Sequence, residues 1–230
     1  MATFVLIHGS YQGSWIWKPV SALLEAAGHV VYRPTLDGCA ERKGSLRREI
    51  TLASLGSEIA RLLFFEDLRE VVFVGTSSGG MVVAQAAEQV PERIRRLVFI
   101  DALVPLPGET VATINGRAPY SRDELVYGPL PENARGQIYA DLPADLQDWA
   151  LARYTRHPRA PTDDPVDLTA FWAHTWQVDV LRCAQSPLPP EAHQRRTAEK
   201  LGGSYTELDA GHYPMLSHTT EVADYLLQRA

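Results

Sequence analysis

The chain has little cysteine and no long apolar run. Cys39 and Cys183 are the only cysteines in 230 residues. Two cysteines so far apart make neither a disulfide framework nor a metal site by spacing. A reduced, cytoplasmic setting is therefore expected. The longest apolar stretches, such as Val71-Val72-Phe73-Val74, are far too short to span a bilayer. The opening residues, Met1 to Ile7, lack the basic region and small-residue cleavage site of a secretory leader and read as a first strand. Basic blocks are missing as well. Net charge is −6, and Arg47-Arg48 and Arg195-Arg196 are short pairs that read as solvated helix faces. A nucleic-acid partner would need a basic face, so none is expected. Repeats and low-complexity segments are absent too.

What is present is a strand–helix alternation. Thr3–Ile7, Val30–Tyr32, Val71–Val74 and Leu97–Ile100 are short, nearly continuous apolar runs. Such runs suit a parallel sheet covered on both faces. Between them, Trp15–Ala27, Thr51–Phe65 and Met81–Gln89 carry apolar residues at helical spacing, and Gly28 stands where a helix would end. The alternation predicts an α/β fold with a doubly wound, mostly parallel sheet. It breaks after Asp101. Residues 104–177 are rich in proline and aromatics, with helical pieces at Leu142–Tyr154 and Leu168–Trp176. A long insertion between core strands is usually functional. The expectation is a single domain, 1–230, with 104–177 as a helical cap over the carboxyl edge of the sheet. The alternation resumes with Val180–Cys183, a helix near Pro190–Leu201, the strand Ser204–Leu208 and a helix Glu221–Gln228.

Chemistry is suggested by Gly75-Thr76-Ser77-Ser78-Gly79, placed between a strand and a helix. A Gly-x-Ser-x-Gly turn there lifts a nucleophilic serine above the sheet edge, and side chains two residues either side would collide. Only Ser77 has glycine at both places. A serine hydroxyl needs an adjacent base. Of the seven histidines, His212 lies just past the last core strand, where this arrangement requires one. His29, His157, His174, His193 and His218 fit worse. An oxyanion would be held by the N–H of Ser78 and by a second N–H from the loop after the first strand, at Ser10 or Tyr11. His8 is expected to support that loop. No metal and no cofactor are expected.

The segments Phe4-Val5-Leu6-Ile7-His8-Gly9, Trp15-Ile16-Trp17, Pro34-Thr35-Leu36-Asp37-Gly38, Gly75 to Gly80 and Gly211-His212 resemble the α/β-hydrolase superfamily. More narrowly, they resemble the branch of plant methyl-ketone and salicylate esterases, hydroxynitrile lyases and small bacterial relatives. The resemblance spans residues 3–105 and 178–229; the cap carries no matching motif. Two positions depart from it. The branch places its acid just after the strand here read as Val180–Cys183, but this chain runs Ala184-Gln185-Ser186-Pro187 there. Asp101, at the end of the preceding core strand, is the best substitute, against the alternative of an aspartate that merely caps the strand. Hydroxynitrile lyases of the branch carry a lysine directly after the catalytic histidine; here it is Tyr213, which argues against cyanohydrin cleavage.

The resemblance implies hydrolysis of an ester, lactone or thioester of a small apolar molecule. A lyase, cyclase or isomerase using the same oxyanion hole is the second reading, and a non-catalytic binder the third. Tyr120, Tyr127, Trp149, Phe171, Trp172 and Trp176 suggest an apolar lid, though part of the set would pack helices instead. The expected partner is a small-molecule substrate, with no nucleic acid and no membrane; a homodimer stays open.

Overall fold

A computed structural model describes residues 1–120 and 123–230. Strand β1 (Thr3–Ile7) sends Phe4 and Leu6 into one core cluster and Val5 and Ile7 into another. Successive side chains of a strand point to opposite faces. A strand apolar at every position therefore needs cover on both sides, and the chain supplies it. After α1 (Lys18–Ala26) come β2 (Val30–Tyr32), α2 (Leu52–Phe65), β3 (Val71–Ser77), α3 (Gly79–Ala87) and β4 (Ile94–Ala102). Phe4, Leu6, Val72, Val74, Val98 and Ile100 pack with Val20 and Leu24 of α1. Val5, Ile7, Phe73, Leu97 and Phe99 pack on the opposite face with α2 and α3.

Local signals set the element ends. The helix expected from Trp15 begins as a tight 3₁₀ turn, Ser14–Trp17, and becomes α-helical at Lys18, with Pro19 in the first turn. Proline fits there because those N–H groups have no intrahelical partner. Gly28 follows the helix at φ +86°, a conformation glycine adopts readily. Thr51 and Ser54 cap α2 reciprocally through side chain and backbone.

Beyond β4 the chain leaves the sheet. It forms α4 (Val111–Ile114), β5 (Val126–Tyr127), α5 (Ala144–Leu151), β6 (His157–Pro158), α6 (Ala160–Asp163) and α7 (Thr169–Ala173). Both helices expected here are shorter than their patterns. The second stops at Ala173 because His174 turns extended and Trp176 folds back, stacking on Phe171 and donating its indole N–H to the Phe171 carbonyl at 2.8 Å. The antiparallel β5–β6 pair, two residues on each side, was not foreseen; strands so short leave no periodic signal.

The chain then returns through β7 (Val178–Cys183), α8 (Glu191–Leu201), β8 (Ser204–Leu208), α9 (Pro214–Ser217) and α10 (Thr219–Leu227). Val222, Ala223 and Leu226 of α10 join the cluster of α1. The main sheet, six-stranded among the described residues, has the order β2-β1-β3-β4-β7-β8. Every pair in it is parallel. This is the doubly wound sheet read from the sequence. It brings the carboxyl ends of β1, β3, β4 and β7 side by side, the edge where such sheets place ligands. Among the described residues no helix is long and apolar enough to cross a membrane.

Candidate active site

Ser77 ends β3 at φ +51°, a strained conformation for a residue with a side chain. The glycines around it are required by contact. A Cβ on Gly75 would lie 2.9 Å from the Gly79 carbonyl oxygen, and one on Gly79 would lie 2.5 Å from that of His8. Gly9 matters equally, because a Cβ there would lie 2.5 Å from Ser77 Cβ. Gly9→Ala is therefore expected to push the serine off its turn. A displacement near 1 Å costs about 100-fold in rate, so kcat should fall by about that much while circular dichroism stays unchanged. A variant with wild-type kcat would show that the turn tolerates the methyl.

His212 follows β8, as read from the sequence, and shares a cavity with Ser77. No hydrogen bond joins the two side chains, and such bonds are commonly loose before substrate arrives. The imidazole is held from behind. Its Nδ1 lies 2.6 Å from Asp101 Oδ2. Asp101 is fully buried at the end of β4. It reaches His212 through a bulge: Thr76 pairs with Ile100 and Ser77 with Ala102, leaving Asp101 as the extra residue at φ +45°. Bulges next to active sites re-aim side chains in this way. The other carboxylate oxygen accepts Gln194 Nε2 at 2.7 Å and the Cys183 N–H at 3.4 Å.

Ser186 marks the place where the resemblance predicts an acid. Its Oγ lies 3.4 Å from the same Nδ1 and donates to the Leu188 carbonyl at 2.8 Å. The carboxylate that meets the imidazole thus comes from the end of β4, one strand over from β7, where the resemblance predicts it. The structure also adds a carboxylate that sequence reasoning missed. Asp141, just before α5, accepts the His212 backbone N–H at 2.6 Å. A Cβ on Gly211 would collide with it at 2.0 Å. Nothing in the local sequence distinguishes Asp141 from other acids of that segment.

Burial pulls the His212 pKa down, but the Asp101 hydrogen bond and the charges of Asp101 and Asp141 outweigh it. The imidazole ends above its ordinary value. His8 behaves oppositely. Burial drives it down to about 4. The neutral ring accepts the Leu36 N–H at 3.0 Å and donates to the Gly9 carbonyl at 2.8 Å, tying the loop after β1 to the loop after β2. His193 and His157 are also lowered by burial, to about 4 and about 3.

The loop after β1 lies beside Ser77. The Gly9 N–H is taken by Gln12 Oε1 at 3.0 Å. That leaves Ser10 and Tyr11, both at the cavity wall, as sources of a loop N–H. Tyr11 sits at φ +68°, and its carbonyl accepts the Tyr139 hydroxyl at 3.0 Å. Ser78 precedes the first turn of α3, where N–H groups are free of intrahelical bonds. The cavity holds about 230 Å³ and is also lined by Leu103, Val111, Asn115, Arg117, Tyr120 and Tyr127. Of the six aromatics expected as a lid, Tyr120 and Tyr127 reach it. Phe171 and Trp176 belong to the core, with Trp172 packed against it, and Trp149 packs edge-on against Trp15.

Known proteins resemble this chain along nearly its whole length. A carbendazim hydrolyzing esterase of Nocardioides sp. (strain SG-4G) is 28% identical, covering 98% of both chains. Methylesterase 7 of Arabidopsis thaliana is 35% identical over 99% of this chain and 95% of its own. Among solved structures, an extracellular alpha/beta-hydrolase from a Paenibacillus species superposes with a TM-score of 0.84 at 22% identity, covering 99% and 98% of the two chains. The family model of the alpha/beta hydrolases matches residues 4–225, so the chain belongs to the alpha/beta hydrolase family.

Proposed function

We propose that this protein is a carboxylic ester hydrolase in which Ser77, His212 and Asp101 act together on an ester, lactone or thioester of a small apolar molecule. The observation that carries the reading is the 2.6 Å contact between His212 Nδ1 and the buried Asp101 carboxylate. It orients the ring, leaves Nε2 as the acceptor, and stabilises the imidazolium that forms. Ser77 Oγ attacks the carbonyl carbon as its proton passes to His212. The Ser78 N–H, with that of Ser10 or Tyr11, holds the oxyanion. The alcohol leaves with the proton from His212, and water then releases the acyl group by the same route.

Both curated relatives described above carry esterase names. Tyr213 is buried against Tyr139, at 4.6 Å between ring centres, and supplies no cation beside His212 to steady cyanide. The 104–177 segment acts as a cap within one domain, 1–230, since its Tyr127, Tyr139 and Asp141 bond to Ser10, Tyr11 and His212. The reading includes a cytoplasmic setting, supported by two free, buried cysteines. Its partner is a small-molecule substrate, with neither nucleic acid nor membrane and no cofactor.

A fluorophosphonate probe should label Ser77, as located by peptide mass. In an ester panel, products should gain the mass of water. Turnover without a mass gain would make the reaction a cyclisation or isomerisation. Ligand binding without turnover or labelling would make the protein a binder.

A further inference from the structure

Both side chains beside the expected oxyanion donors carry hydroxyls, and those hydroxyls are bonded to each other. Ser10 Oγ lies 2.8 Å from Ser78 Oγ. It also lies 2.5 Å from the hydroxyl of Tyr127, a residue 117 positions further along the chain. Three separate pieces of structure thus meet at one atom: the loop after β1, the start of α3, and β5 of the cap segment. Tyr127 itself has little freedom. It is buried, stacks on Tyr120 at 4.5 Å, and meets Tyr11 and His157 edge-on at 5.3 and 5.6 Å. Its backbone is held by pairing with His157. Tyr139, from the same segment, secures the Tyr11 carbonyl.

Oxyanion donors work only when fixed about 2.7–3.1 Å from where the charge will develop. One donor here sits at a helix start. The other sits on a loop, whose backbone has no helix or strand ladder to fix it. A bonded hydroxyl pair between them fixes their separation, and a third hydroxyl anchored in a buried aromatic cluster holds the pair in place. Bonds in such a chain also polarise one another.

We propose that Tyr127 is a positioning residue for the oxyanion hole, acting through the hydroxyls of Ser10 and Ser78. The cap segment then does more than enclose substrate: its docking completes the geometry that stabilises the tetrahedral intermediate. This rests on the reading that Ser77 attacks an ester carbonyl.

The test compares Tyr127→Phe, Ser10→Ala and the double variant with wild type. Readouts are kcat, KM and the affinity of two inhibitors. One is a trifluoromethyl ketone, whose carbonyl carbon bonds Ser77 Oγ while the serine proton passes to His212 and the ketone oxygen becomes the oxyanion. The other is the matching unreactive amide. Loss of a direct oxyanion donor costs 100-fold or more, so an indirect one should cost roughly tenfold. Tyr127→Phe should lower kcat about tenfold, with KM within about twofold. Ketone affinity should fall by the same factor and amide affinity should hold. The double variant should be no worse than the poorer single, because both cut one chain. Unchanged kcat, a rise in KM alone, or multiplicative losses would overturn the proposal. If Tyr127→Phe does not fold, Ser10→Ala breaks the same link and carries the test. Full activity in Ser77→Ala would sink the ester reading; an inactive Ser77→Ala beside an unaffected Tyr127→Phe would sink only the role of Tyr127.

Discussion

Ser77→Ala is expected to lower kcat by about 10⁴ to 10⁶-fold while leaving KM within a few fold. Removal of a serine nucleophile from a complete triad costs on this scale, and what persists comes from the oxyanion hole and binding. Folding should survive. The strain at Ser77 is in the backbone, at φ +51°, and alanine bears it much as serine does. Among the described residues Ser77 Oγ makes no hydrogen bond, and the residue takes part in the sheet through its backbone, whose carbonyl accepts the Leu103 N–H at 2.9 Å. The check is steady-state kinetics on an activated ester, paired with the loss of phosphonate labelling. Activity above a tenth of wild type would assign the attack to another group. Ser78 is the obvious competitor by sequence. It lacks the paired glycines, and its hydroxyl is engaged by Ser10.

Asp101→Asn should cost about 10⁴-fold in kcat, the loss seen when a triad carboxylate becomes an amide and the imidazole adopts the wrong tautomer. The geometry here favours a loss of that size, because Asp101 is fully buried and no water can substitute for it. The pH profile supplies a second readout. His212 must be neutral to accept the serine proton, so activity falls as pH drops through its pKa. That pKa is raised, which places the acid limb of wild-type kcat/KM above the ordinary histidine value of about 6.5. Asp101→Asn removes both the bond and the nearer charge that raise it, so the limb should move to lower pH. The sign for stability runs the other way. The His212–Asp101 pair stabilises the fold fully below the unfolded-state pKa, and that contribution fades as pH rises through the folded-state value.

Adding Ser186→Asp to Asp101→Asn should recover roughly tenfold, since Ser186 Oγ already lies 3.4 Å from the same imidazole nitrogen and a carboxylate there can restore the tautomer. No recovery, with the double variant folded, would mean that this part of the site no longer accepts an acid.

Much of the fold was legible because its signals are local. Strands that must be buried on both faces are apolar at every position, as in Val71–Val74. The turn at Ser77 was legible because only glycine fits at 75 and 79, a steric demand that shows in any sequence. The segment 104–177 was opaque for the opposite reason. Its elements are short, and the chain there is held by side-chain contacts across long sequence gaps, such as Tyr139 to Tyr11 and Tyr127 to Ser10. Asp141 carried no local mark, because its role depends on which backbone N–H it meets.

By itself, then, the sequence determined the doubly wound sheet, the strained turn at Ser77 and a histidine past the last strand. These follow from periodicity, glycine sterics and chain order. It left open whether Asp101 partners that histidine or only caps the end of its strand. Tertiary structure decided it. The single extra residue between the pairs Thr76–Ile100 and Ser77–Ala102 turns the Asp101 carboxylate toward His212. Parallel pairing of β4 with β7 sets that carboxylate and the Ser186 hydroxyl at the same imidazole nitrogen. A register shift and the order of strands are relations between distant segments, and no spacing along one strand encodes them.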